Sequence, residues 1–73
     1  MNTLKRLRLD RGWSQARLAR AVGCTEKSVS RWEAEGIGHA RFEHVVRAAE
    51  ALDVSVEDLA RDFYGAGSNE RGW

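Results

Sequence analysis

An all-α fold of five short helices is predicted for this 73-residue chain by three features. Apolar residues recur at helical spacing in each periodic segment, and no alternating run reads convincingly as a strand. Ser14, Thr25 and Ser55 each stand just before such a segment, where a side-chain oxygen can accept an orphan backbone N–H. Glycines at 12 and 23 fall where those segments should end.

The elements follow in order. The first helix is expected over about Thr3 to Asp10, with Leu4 and Leu7 inward and Gly12 ending it. The second starts after Ser14, with Leu18, Ala19 and Val22 on one face, and the third after Thr25, with Val29 and Trp32 inward. Gly23 sits between these two, where a sharp turn needs a residue that tolerates positive φ. Ala19 falls where the two helices must cross closely, so a small side chain is needed. Ala34 to His39 holds two glycines without helical periodicity and reads as a loop. In the fourth helix Phe42, Val45, Val46, Ala49 and Leu52 form the expected inner stripe. Ser55 with Asp58 approximates a capping box for the fifth, whose stripe is Val56, Leu59, Ala60 and Phe63. Residues 1–64 are thus expected to form one domain and 65–73, small and polar, a flexible tail.

Composition narrows the class. The length allows one small core and no second catalytic domain. No apolar stretch approaches a membrane span, and no signal-peptide pattern opens the chain, so a cytoplasmic protein is expected. Cys24 is the one cysteine, which rules out a disulfide within the chain and a cysteine zinc cluster. The net charge of +1 hides a division. Residues 1–32 hold eight lysines and arginines against Asp10 and Glu26, whereas residues 33–73 hold four arginines against nine carboxylates. A basic half suits a phosphate-facing surface, although solvated helix faces of uneven charge would look the same.

The central stretch Gln15-Ala-Arg-Leu-Ala-Arg-Ala-Val-Gly-Cys-Thr-Glu-Lys-Ser-Val-Ser-Arg-Trp-Glu33 therefore reads as two short helices around a tight turn. Its spacing is that of a unit that pushes its second helix into the DNA major groove. These residues resemble the helix-turn-helix of the phage-repressor and Cro-like family, also called the xenobiotic-response-element (XRE) family. Leu4 to Gln15 is similar to the family's first helix and approach to the motif, and Phe42 to Leu59 to its fourth and fifth helices. The resemblance covers roughly Asn2 to Phe63 and implies a lambda-repressor-like DNA-binding domain. Two positions depart from the pattern: Ala40 stands where a proline is usual, and Asp53 where glycine is frequent between helices four and five.

For a helix docked by its N-terminal end, the base-facing candidates are Glu26, Lys27, Ser28 and Arg31, with Ser30 weaker. By resemblance, positions 26, 27 and 28 are those the family most often uses. Lys27 and Arg31 can donate to guanine O6 and N7, and Glu26 can accept from cytosine N4. An acid in a helix's first turn is also favoured by the macrodipole alone, so Glu26 has two roles open to it. Ser14, Gln15, Arg17 and Arg41 are the phosphate or backbone candidates, with Arg6 a further one. Gln15 can alternatively brace the recognition helix, and Arg41 and Arg17 can equally be solvated surface residues. The resemblance implies that Arg8 pairs with Glu33, clamping helix three against helix one. Trp13 and Trp32 fit core or corner positions better than base stacking.

Catalysis has little support. His39 and His44 make a poor metal pair and fit surface or phosphate-contacting roles; Cys24, in the motif's turn, has no convincing histidine partner. No metal, cofactor or enzyme activity is expected. The function expected is sequence-specific double-stranded DNA binding by a transcriptional regulator, a repressor above all; the alternative is an antitoxin or protein-interaction module on the same fold. One such motif reads only a few base pairs, so a homodimer on an inverted-repeat operator is expected. Helices four and five are its expected surface, with Phe63, Tyr64 or Trp73 as aromatic anchors and the tail open to a protein partner.

Overall fold

A computed structural model describes residues 3–60, apart from the side chain of residue 39. The domain end at 64, the anchors Phe63, Tyr64 and Trp73, and the tail lie outside the described residues. Among the described residues five α-helices follow one another: α1 (Thr3–Asp10), α2 (Gln15–Val22), α3 (Glu26–Glu35), α4 (Phe42–Leu52) and α5 (Val56–Leu59). There is no strand among the described residues.

The predicted caps explain the starts. Ser14 Oγ accepts the Arg17 N–H at 3.0 Å, Thr25 Oγ1 the Ser28 N–H at 3.1 Å, and Ser55 Oγ the Asp58 N–H at 2.9 Å. Such a cap typically stabilises a helix by about 1 kcal/mol. α2 is the hub, packing on α3 through one side and on α4 through another. Leu18, Val22 and Val29 are fully enclosed, with Leu4, Ala19, Trp32, Ile37, Ala48, Ala49, Leu52 and Leu59 completing a single core. Burying a leucine or valine stabilises by about 1.5–3 kcal/mol, which is how a chain of this length holds together by packing.

α2 and α4 end in the same way despite different residues. Gly23, at φ +88°, lets both its own N–H and that of Cys24 reach the Ala19 carbonyl, at 2.8 and 3.0 Å. A Cβ there would also stand 3.0 Å from Arg47 Nη1. At the end of α4, Asp53 adopts φ +58°, ψ +46°, and the Val54 N–H reaches the Ala49 carbonyl at 3.0 Å. Asp53 thus takes the left-handed conformation that the resemblance assigns to glycine, at a steric cost that short polar residues tolerate best. The turn geometry survives the substitution.

Two expectations are corrected. The segment Ala34 to His39 is not a plain loop: Ala34 and Glu35 complete α3, and Ile37–His39 forms one 3-10 turn. Gly36, at φ +106°, breaks the helix between them. Ile37 from this turn is only 3 % exposed, so a segment without periodicity contributes a core residue. The Ala40 N–H closes the turn onto the Ile37 carbonyl at 2.9 Å, a bond that proline could not make.

The inner stripe of α4 is also shifted. Ala48 is completely buried, whereas Phe42 is 73 % exposed. The observed face is Val45, Ala48, Ala49 and Leu52, again i, i+3, i+4 and i+7. Cα–Cβ bonds tilt toward a helix's N-terminus, so the first residue of α4 projects past the core that its later turns cover. Phe42 lies beside a shallow groove with Ile37, Ala40, Val45, Val56 and Ala60.

Candidate nucleic-acid interface

The surface is built on α3, whose two faces differ in kind. Val29 and Trp32 are sealed inside, while Glu26, Lys27, Ser30 and Arg31 are exposed. Lys27 and Arg31, four residues apart, project from one face. Ser28 is half-buried: its N–H is taken by the Thr25 cap, and its Oγ accepts from Thr25 Oγ1 at 3.1 Å. Arg31 Nε donates to Glu35 Oε1 at 3.2 Å, but these side chains are 62 % and 53 % exposed. An exposed i, i+4 pair of this kind holds its arginine weakly and leaves it available to a stronger acceptor.

The back of α3 is held by a buried ionic joint. Arg8 donates from Nε to Glu33 Oε2 at 2.6 Å and from Nη2 to Oε1 at 3.0 Å, a two-bond fork. The two side chains are 8 % and 5 % exposed. Arg8 Nη1 donates to the Trp13 carbonyl at 2.8 Å, and Gln15 Nε2 donates to Glu33 Oε1 at 3.0 Å. The hydrogen bond to Glu33 raises the Arg8 pKa further above its ordinary range; burial opposes this and the carboxylate charge supports it. Of the two roles open to Gln15, bracing the recognition helix is the one seen. α1, α2 and α3 therefore converge on one carboxylate, which sets the angle at which α3 is presented.

The remaining phosphate candidates border this core arrangement. Ser14 is exposed and caps α2. Arg17, exposed, places its guanidinium carbon 4.8 Å from the Trp13 ring centroid. Arg6 is exposed on α1. Arg41 is exposed at the N-cap position of α4 and makes no side-chain cap bond. Trp13 is half-buried at the α1–α2 corner, and Trp32 is buried with its ring 5.7 Å from that of His44. His44 is thus half-buried against Trp32.

Sequence reasoning missed Arg11. Its Nη2 donates to the Leu52 carbonyl at 3.0 Å, closing the end of α4 from 41 residues away, while its guanidinium also lies over Trp13. Nothing local signals such a contact. Cys24 is half-buried, and burial pushes its thiol pKa up, away from nucleophile chemistry. No group of three or more histidine, cysteine or acidic side chains that could hold a metal ion occurs among the described residues. No helix there is long and apolar enough to cross a membrane.

An all-α core, a capped two-helix unit around Gly23 and an exposed polar face on the second helix define a DNA-binding helix-turn-helix domain. The family model for the helix-turn-helix of the XRE type matches residues 4–59, well over half of the chain, and the chain belongs to that family. No curated protein and no solved structure matches it.

Proposed function

We propose that this protein is a sequence-specific transcriptional regulator, acting as a repressor, that inserts α3 into the major groove. The observation that carries the reading is the division of α3. Lys27 and Arg31 stand exposed on a helix whose opposite side is locked to α1 and α2 through Arg8, Glu33 and Gln15. A guanidinium or ammonium group so presented can donate to guanine O6 and N7, with Glu26 and Ser28 reading adjacent positions. Ser14, Arg17 and Arg41 bind backbone phosphates on either side and set the register, while Gln15 braces α3 through Glu33. The role is binding without catalysis, in the cytoplasm, on chromosomal or phage DNA.

A few base pairs per motif imply two copies. A symmetric homodimer places its recognition helices about 34 Å apart on an inverted-repeat operator. The exposed Phe42 beside the α4–α5 groove supports a self-association surface there. Selection of bound duplexes from a random-sequence pool tests the reading. Enrichment of an inverted repeat with half-sites near one helical turn apart supports it. Absence of any enriched sequence rejects it and leaves the protein-interaction reading.

A further inference from the structure

We infer that Trp13 is a positioning residue for DNA-backbone binding: its indole holds the Arg17 guanidinium ready for a phosphate, on a platform that Arg8 ties to the recognition helix. This deepens the proposed duplex-binding function and rests on it. Arg17 is the third residue of α2, and its side chain makes no hydrogen bond or ion pair among the described residues. Its one side-chain contact of an electrostatic kind is the Trp13 ring, 4.8 Å away and within cation–π range.

That placement runs against helix stability. The macrodipole disfavours a cation in the first turn. α3, α4 and α5 follow the rule, with Glu26, Glu43, and Glu57 with Asp58 in their first turns, whereas α1 and α2 have no acid there. An arginine held at this end becomes favourable when an anion lies between it and the helix terminus. The backbone that carries this ring is itself fixed: the Trp13 main-chain N–H donates to the Arg8 carbonyl at 3.1 Å, and the Trp13 carbonyl accepts from Arg8 Nη1. The same guanidinium grips Glu33 of α3. Phosphate donor and base-facing helix therefore share one reference point, and a stacked Arg17 has already given up side-chain freedom that it would otherwise lose on binding.

The test uses the full chain and a mixed-sequence 20-base-pair duplex, because phosphate contacts are read without regard to sequence. Affinity is measured against salt for the wild type, Arg17→Ala, Trp13→Met, Trp13→Phe and the Trp13→Met/Arg17→Ala double variant. Arg17→Ala should flatten the log–log salt slope by about 1. Trp13→Met should weaken binding by about two- to fivefold, and Trp13→Phe should restore most of it. The double variant should bind no worse than Arg17→Ala alone. Additive losses, or equal losses for the Met and Phe variants, would show a merely structural role and overturn the proposal. So would an Arg17 Nε–H proton resonance in the free wild type that lacks the ring-current shift of a stacked group, a measurement that needs no variant. A wild type that binds no duplex overturns the function as well; a wild type that binds while Arg17→Ala does not weaken it overturns this inference alone.

Discussion

Arg8 and Glu33, 25 residues apart, are joined by two hydrogen bonds of 2.6 and 3.0 Å with hardly any exposure to solvent. The carboxylate is shared with Gln15 and the guanidinium with the Trp13 carbonyl, so this one ion pair connects three helices and a corner. A buried pair adds little net stability over a well-packed apolar one, but losing one partner strands the other's charge.

Glu33→Ala should therefore destabilise the domain by about 3 kcal/mol, toward the lower end of the range for breaking a buried pair. The Arg8→Met/Glu33→Leu double variant should recover much of that stability while binding DNA less selectively. Thermal melting together with a specific-to-random binding ratio checks both. A melting temperature unchanged in Glu33→Ala would remove the clamp from the account. Because Glu33 raises the Arg8 pKa, the arginine's contribution is fully present below its ordinary value and is lost only as pH rises through the higher folded-state one. From the arginine's side, the clamp should not weaken across neutral and mildly alkaline pH.

Readout should separate from phosphate binding. Lys27→Ala or Arg31→Ala should cost about 1–3 kcal/mol on an enriched site and relax preference at one position, with little loss on random DNA. An equal loss on both duplexes would reassign the residue to the backbone. Glu35→Ala should change stability by no more than about 0.5 kcal/mol, because the Arg31–Glu35 pair is exposed.

The two departures from the family pattern should behave in opposite ways. Asp53→Gly should stabilise by up to about 1 kcal/mol, since the left-handed conformation at φ +58° is strained for any residue with a Cβ. Ala40→Pro, although it restores the usual residue, should destabilise by about 1 kcal/mol. It removes the Ala40 N–H that closes the 3-10 turn and crowds the helical backbone of His39 before it. Chemical denaturation of the two variants gives the signs directly. A stabilising Ala40→Pro would mean that this turn opens freely in solution.

Burial raises the Cys24 thiol above its ordinary pKa of 9.0, and the sign of the pH effect follows. The neutral thiol is the form the fold favours. Its contribution is complete below the unfolded-chain value and is lost as pH rises through the folded one. The domain should accordingly lose stability above about pH 9 more steeply than a Cys24→Ala variant does. Alkylation at neutral pH should be slower than for a free thiol. Parallel alkaline profiles for the two proteins would count against the shift.

By itself the sequence determined the helix starts, the inward faces of α2 and α3, and the exposed candidates on α3. Those depend on interactions three or four residues apart, such as the Ser14, Thr25 and Ser55 caps and the alternation of Val29 and Trp32 with Lys27 and Arg31. The Arg8–Glu33 pair was legible only through family resemblance. Tertiary structure alone decided that Phe42 faces outward, that Ile37 enters the core from a segment without periodicity, and that Gln15 turns toward Glu33. It alone brought Arg11 to the end of α4. Each of these depends on which surface covers a given turn, and that is set when helices distant along the chain pack together, not by the spacing within any one of them.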